Sequence, residues 1–322
     1  MKCGQVVAAG QLLQVENEAD GIKTSTSSSV SLGKRDTAAI GKLIAAGVPT
    51  DLDWLVPQGL IQYESMAQSG ETAQVHPYLF TAAMARLAEE GGAKIILGTA
   101  TEIVKEDGGQ GITSVVYRDK QTGETQTLPA TDVIVSAGPW TRSVLPEAPV
   151  TSTRAHSVVI RPTRPVSAYT LFTNISLPPG FGSSKKSKSA VVNPEIYARP
   201  DNTVYACGEG DHITPLPETT AEVQVDQSRC QDIIDSVGSI SDELRNGEVT
   251  VRQACYLPVV DTTRGGGPLI GHTGIEGLYL ATGHTCWGIQ NAPGTGKLMS
   301  EFVFEGTAQS AKVGSLDPRN YM

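Results

Sequence analysis

The stretch Gly277–Gly306, GLYLATGHTCWGIQNAPGTGKLMSEFVFEG, decides how the rest of the chain is read. Leu278–Ala281 is a short apolar run carrying Tyr279, the composition of a buried parallel strand. Thr282–Gly296 holds four glycines and one proline, a density that predicts a loop rather than a continuing strand or helix. From Lys297 onward, Leu298, Met299, Phe302 and Val303 share one helical face, and Gly306 supplies a stop. A strand that passes through a glycine loop into a helix points free backbone N–H groups into that loop. An ordinary β–loop–α connection has the same outline, but the glycine density favours a cradle for a bound group.

The chain around it has 322 residues, enough for two domains or one large α/β unit with a sizeable core. Hydrophobic residues make up 39%, charged residues 18%, and the net charge is −9, a balance that argues against a nucleic-acid partner. The basic cluster Lys185–Lys188 sits in a serine-rich stretch and reads as a solvated loop. No apolar run approaches the ~18 residues of a membrane span. Residues 2–20 contain Gln11, Gln14, Glu16, Glu18 and Asp20 in place of a signal peptide's apolar core. The five cysteines are scattered, with no CxxC pair and no metal-ligand spacing, so reduced thiols in a cytoplasmic protein without a metal site are expected.

In chain order, Thr24–Ser31 reads as a surface loop and Thr37–Ala46 as helical. His76–Pro77 opens a helix whose Leu79, Phe80, Ala83, Met84 and Leu87 form a 3.6-residue stripe, expected to face a core. Ala93–Leu97, Thr101–Lys105 and Ile112–Arg118 read as strands, and Gln121–Glu124 as a hairpin turn into Thr125–Leu128. Asp132–Ser136 is apolar after its first residue, as in a strand buried on both faces. Residues 154–210 alternate short β-rich runs with Pro and Gly turns, the pattern of an antiparallel sheet. Pro217–Val237 reads as a helix, Val249–Tyr256 as a strand and Leu257–Pro268 as a loop. The expectation is a mixed α/β fold, one Rossmann-like domain (75–150 and 263–322) split around an antiparallel-sheet domain (1–74 and 151–262).

Two lookalike motifs fail on their own requirements. Gly294–Thr295–Gly296–Lys297 resembles the end of a phosphate-binding P-loop, but Asn291 stands where the motif needs Gly and Leu298 where it needs a magnesium-binding hydroxyl. The dinucleotide fingerprint G-x-G-x-x-G is absent.

Five segments in order do resemble one family: VHPYLFTAAMARLAEEGGAKI (Val75–Ile95), TEIVKED (Thr101–Asp107), DVIVSAGPWT (Asp132–Thr141), PLIGHTGIEGLYLATGH (Pro268–His284) and WGIQNAPGTGKL (Trp287–Leu298). They are similar to the D-amino-acid-oxidase-like FAD-dependent oxidoreductases, and within these to a fungal oxidoreductase branch. The resemblance implies an enzyme that binds FAD and oxidises a C–N bond of an amine or amino acid by hydride transfer to flavin. It also implies an N-terminal βαβ unit for the FAD pyrophosphate, whose fingerprint this sequence lacks. Without that unit, the Asp132–Ser136 and Leu278–Ala281 strands are expected to lose a sheet neighbour and expose an apolar edge or face. A non-catalytic binding or regulatory protein on a truncated flavoprotein scaffold is the alternative.

Carried over by motif, the resemblance places Thr101, Glu102 and Ile103 at the adenine end and Ala137, Gly138 and Trp140 at a strand end near the cofactor. It places Gly283, His284, Trp287, Gly288, Ile289, Gln290 and Asn291 under the flavin ring. Cys255 lies where the sarcosine-oxidase branch joins a cysteine covalently to flavin. A substrate carboxylate calls for an arginine, with Arg154, Arg161, Arg252 and Arg264 as candidates. Tyr197, Tyr205 and Tyr256 are candidate pocket walls, with Arg154 and Tyr256 preferred as substrate residues. His284 reads as a packed or hydrogen-bonding loop residue rather than a general base. Composition and motifs leave the oligomeric state open.

Overall fold

In the computed structural model of the chain, residues 10–16, 41, 45, 47–56, 60–65, 73–182, 190–262 and 267–322 are described. Thr24–Ser31, most of Thr37–Ala46, Lys185–Lys188 and Arg264 lie outside them. In chain order the elements are β1 (Gly10–Glu16), β2 (Leu60–Ser65), α1 (Pro77–Glu90), β3 (Gly98–Lys105), β4 (Ile112–Asp119), β5 (Thr125–Pro129), β6 (Val133–Val135) and α2 (Thr141–Val144). They continue with β7 (Val150–Arg161), β8 (Thr170–Leu177), β9 (Ala190–Val192), β10 (Glu195–Ala198), β11 (Val204–Asp211), α3 (Gln227–Gly238) and α4 (Asp242–Arg245). The last are β12 (Glu248–Val260), β13 (Leu269–His272), β14 (Leu278–Thr282) and α5 (Gly288–Glu305). The fold is mixed α/β. It divides into two compact units, one of Met1–Val75, Ala155–Asp211 and Thr219–Cys255, the other of His76–Arg154, His212–Glu218 and Tyr256–Met322.

The first unit is built on a sheet ordered β12-β7-β11-β10-β8-β1-β2, with β9 also on β8. Period-2 alternation assigns its two faces. Ile196, Ala198, Val204, Ala206 and Leu171 are fully buried on one, where they meet Cys230, Ile233 and Val237 of α3. The antiparallel register sets Glu195 opposite Cys207 and Tyr197 opposite Tyr205 on the other. The long helix read over Pro217–Val237 shrinks to α3. The Asp226 side chain accepts the backbone N–H groups of Ser228 and Arg229, and this N-cap fixes the start. Upstream, a capping box of Thr219 and Glu222 closes a single 3₁₀ turn over Thr220–Glu222.

The second unit holds two sheets of three strands, β13-β14-β6 and β3-β4-β5. β14 runs parallel to β6, Leu278 opposite Val133 and Leu280 opposite Val135, and antiparallel to β13. It is therefore the central strand, and the expected loss of a neighbour falls on β6 alone. Ile134 on β6 is 42% exposed. The β4–β5 hairpin turns at Thr122–Gly123, where Asp119 accepts the N–H groups of Gln121 and Thr122. Ala93–Leu97, read as a strand, is not one, because pairing with β4 begins only at Gly98 opposite Asp119.

The stripe of α1 is the largest departure from expectation. The helix forms, opened by Pro77 and closed by Gly91, yet none of its residues is buried. Tyr78, Leu79, Met84 and Leu87 are exposed, as are Ile95, Ile96 and Leu97 after it. Apolar periodicity predicts helix formation, but whether the stripe is covered depends on a neighbour that these residues do not contain.

The C-terminal end of α5 is held by a buried carboxylate. Glu301 accepts hydrogen bonds from Lys297, the Ser310 hydroxyl, and the N–H groups of Gln309 and Ser310. Those donors, Lys297 foremost, hold its carboxyl down at about 2. A depressed folded value gives stability that is present above the ordinary carboxylate range and lost as pH falls through about 2. The thermal stability of Glu301→Gln is expected to fall below that of the parent at neutral pH, with the gap closing as pH is lowered from about 4.5 toward about 2. A gap independent of pH would show that the charge is not what holds the segment.

Candidate functional site: a glycine-lined cleft at the start of α5

The decisive stretch folds as strand, short loop and helix, but the helix begins nine residues earlier than its sequence predicts. α5 starts at Gly288 rather than Lys297 and contains Pro293, Gly294 and Gly296. Glycine in a helix interior costs about 1 kcal/mol, and proline costs about 3 kcal/mol where it removes a hydrogen bond. The helix survives because its far half is anchored. Leu298 and Met299 are buried against Ile270 and Tyr279, with Phe302 and Val303 packed beside them. Packing of that face outweighs local propensity.

A cleft of about 890 Å³ opens beside this helix. Its walls come from β6 (Asp132, Ile134, Ser136), the loop Thr282–Thr285, and Gly288, Ile289, Thr295 and Gly296 of α5. The size falls in the range of small-molecule and cofactor sites. A Cβ built on Gly296 or on Gly294 would meet nothing within 4 Å, and one on Gly288 would meet only His284 at 3.8 Å. Packing within the fold therefore does not require these glycines, although each costs helix stability. At Gly288 and Gly296 the open space is part of the cleft, and a side chain there would fill it.

The approach to the cradle is strained. Gly283 takes φ +83° and Thr285 takes φ +53°, a rare conformation for a β-branched residue. Between them, His284 Nε2 lies 2.8 Å from the Thr295 hydroxyl. Burial lowers the imidazole's pKa, so His284 is neutral at physiological pH and adds no charge to the cleft. Two buried hydroxyls tie the loops together. Thr141 Oγ1 donates to the Gly138 carbonyl at 2.7 Å and lies 3.0 Å from Thr282 Oγ1, joining the end of β6 to the end of β14. Thr141, Thr282 and Thr295 were not singled out in the sequence. Their role rests on long-range contacts that leave no local pattern.

Of the expected residues, Gly138, Gly283, His284, Gly288 and Ile289 line the cleft, and Trp287, Gln290 and Asn291 lie beside it on the same turn. Trp140 is turned away, donating its indole N–H to the Pro217 carbonyl at 2.7 Å. Thr101, Glu102 and Ile103 lie on β3 outside the cleft lining, and Thr101 donates to the Val116 carbonyl. Tyr256 is buried and donates to the carbonyls of Thr214 and Pro215. Arg154 is 3% exposed and engaged within the fold. Arg252 is bound to α3 through Gln227 and Gln231, and Arg161 pairs with Glu248. Cys255 lies in the first unit and is exposed. Ala137 precedes the turn at Gly138.

The charge inventory is equally informative. Among the described residues, the cleft lining contains no Lys or Arg, and its single carboxylate is Asp132. Lys297 of the P-loop lookalike is held by Glu301 at 2.8 Å on a helix, not in a loop. The N-terminus of α5 has no side-chain cap, and among the described residues the cleft lining offers no cation to a pyrophosphate.

The sequence profile of the FAD dependent oxidoreductase (DAO) family matches residues 35–302. The chain belongs to this family. It is 33% identical over 301 residues to "Putative oxidoreductase TDA3" of Saccharomyces cerevisiae, covering 85% of this chain and 56% of that protein. It is 31% identical over 281 residues to "Putative oxidoreductase C1F5.03c" of Schizosaccharomyces pombe, covering 84% of this chain and 70% of the relative. The chain thus spans little more than half the length of the first of these curated relatives. Among solved structures it resembles glycine oxidase from Geobacillus kaustophilus with a TM-score of 0.67, 16% identity, and coverage of 98% of this chain and 76% of the other. L-proline dehydrogenase from P. horikoshii gives a TM-score of 0.66 at 14% identity, covering 98% and 77%. At these identities the likeness is one of fold. No helix among the described residues is long and apolar enough to cross a membrane, and no group of metal-ligating residues occurs among them.

Proposed function

We propose that the cleft is the flavin-ring half of an FAD site, and that the protein oxidises a C–N bond of a small amine or amino-acid substrate. The observation that carries this reading is the glycine face of α5, open to the cleft and without a packing reason. When bound, FAD would supply the hydride acceptor. Gly288 and Gly296 would let the ring approach the backbone, and the first N–H groups of α5 would favour negative charge at its edge. Neutral His284, set by Thr295, would keep the adjacent wall uncharged. Solved relatives named as oxidases and dehydrogenases of glycine, proline and iminodiacetate support the substrate class. The pyrophosphate would need a βαβ unit, for which the open edge of β6 and the bare face of α1 are fitting neighbours.

Titration of FAD with the purified chain tests the reading, followed as quenching of flavin fluorescence and as retained yellow colour. Quenching that Gly288→Val abolishes, with amine-dependent bleaching of the colour, is the expected result. A chain that stays colourless and leaves flavin fluorescence unchanged would favour the non-catalytic reading. The helix glycines give a second test. Gly294→Ala and Gly296→Ala should each stabilise the flavin-free chain by about 0.5–1 kcal/mol, because alanine is the better helix former and meets no atom. Only Gly296→Ala should weaken flavin binding, since Gly296 lines the cleft and Gly294 does not. Thermal melts and the same fluorescence titration separate the two effects.

A further inference from the structure

The sheet of the first unit buries one face against α3 and leaves its other face to a row of aromatic rings. Phe172 on β8 meets Tyr197 on β10 edge-on, with centroids 6.2 Å apart at 77°. Tyr197 meets Tyr205 on β11 at 5.8 Å and 63°. Beside this row stands Glu195, opposite Phe172 on one side and Cys207 on the other. All five are only partly covered.

The environment of Glu195 is unusual in its charge balance. Its carboxylate accepts from the Tyr197 hydroxyl at 2.6 Å and lies 3.8 Å from Cys207 Sγ. Both donors are neutral. Burial, and then the charge of Glu195, pushes the Cys207 thiol up to about 12, and burial, then its hydrogen bond to Glu195, raises the Tyr197 hydroxyl. Among the described residues, no Lys, Arg or His stands within ion-pair distance of Glu195. Arginines elsewhere in the chain have partners of their own. Arg252 is bound to α3, Arg161 to Glu248, and Arg164 to Asp53 and Glu243. Arg199 sits over the Tyr205 ring at 5.3 Å.

A partly desolvated carboxylate held only by neutral donors gains most from an added cation, and aromatic rings stabilise that cation in the same place. We propose that this face binds an organic ammonium group, with Glu195 as its counter-ion and the rings of Phe172, Tyr197 and Tyr205 as its walls. The occupant is a small alkylamine bearing its positive charge at one end. An anion of the same length meets Glu195 as a like charge, and a neutral isostere forgoes both the ion pair and the ring faces. The proposal rests on the amine-oxidising reading above for its use in the cell.

The test needs no flavin, so its failure and the failure of the flavin reading are separate results. Calorimetric titration compares n-butylammonium, n-butanol and butyrate on the unmodified chain. The expected order is n-butylammonium at least 10-fold tighter than n-butanol, with butyrate weakest. Glu195→Gln, folded as judged by an unchanged melting temperature, should lose at least 10-fold in n-butylammonium affinity and little in n-butanol affinity. Tyr197→Phe should lose a few-fold. Equal affinities of the three ligands for the unmodified chain would overturn the proposal without reference to any variant. Tighter binding of butyrate would overturn it too, by giving the face to Arg199, as would a Glu195→Gln chain that binds n-butylammonium as well as its parent.

Discussion

Gly283→Ala is expected to cost the second unit about 3–4 kcal/mol and to lower its melting temperature by roughly 10 °C. Gly283 lies at φ +83°, where a side chain adds about 1–2 kcal/mol of backbone strain. Its Cβ would stand 2.4 Å from Val260 Cγ2 and 3.5 Å from Pro268 Cα. Val260 is 6% exposed and packs in the cluster of Leu269, Leu278 and Leu280, so it cannot withdraw without opening that core. Overpacking of this kind costs about 1–3 kcal/mol. The steric part can be isolated. Val260→Ala removes the clashing methyl, and adding it to Gly283→Ala should recover more stability than the two single losses predict. A melting temperature within about 2 °C of the parent would show that the loop shifts freely, and the cradle geometry would then carry little weight.

The second large effect concerns α1. In the chain as described, replacing Leu79, Met84 and Leu87 by Gln should change stability by no more than about 0.5 kcal/mol each, because all three are exposed. The same changes should reduce binding of an apolar dye and any self-association, since they break up an exposed apolar face. In a chain extended by a βαβ unit that packs on β6 and α1, each of these substitutions should instead cost about 2 kcal/mol or more, the usual value of a buried large apolar side chain. Urea denaturation of both chains measures the contrast. A large loss in the shorter chain would mean that the face is already covered, and equal small losses in both would mean that a βαβ unit does not pack there.

The comparison of sequence with structure separates along a physical line. Features set by neighbours a few residues away were legible. The β14 strand, the β4–β5 turn at Asp119, the opening of α1 at Pro77 and the closing of α5 at Gly306 all follow from propensity, capping or period. The cleft glycines Gly138, Gly283 and Gly288 were singled out through the family resemblance, and all three line the cleft. Assignments that depended on a partner far along the chain went differently. The glycine run of α5 was read as loop, because its helix is paid for by Leu298 and Met299 packing on β13 and β14. Tyr256 and Trp140 are anchored by the carbonyls of Thr214, Pro215 and Pro217, contacts that no local pattern in the sequence records.

By itself, then, the sequence determined the family, through the resemblance of five segments in order, and, through local spacing and composition, the mixed α/β class and the strand–loop–helix that frames the cleft. Only the tertiary structure decided where α5 begins, that the stripe of α1 is exposed, which arginines are already bound, and that Glu195 stands beside aromatic rings with no ion-pair partner among the described residues. Each of those depends on which surfaces meet across long stretches of chain, and apolar period and motif spacing do not record that.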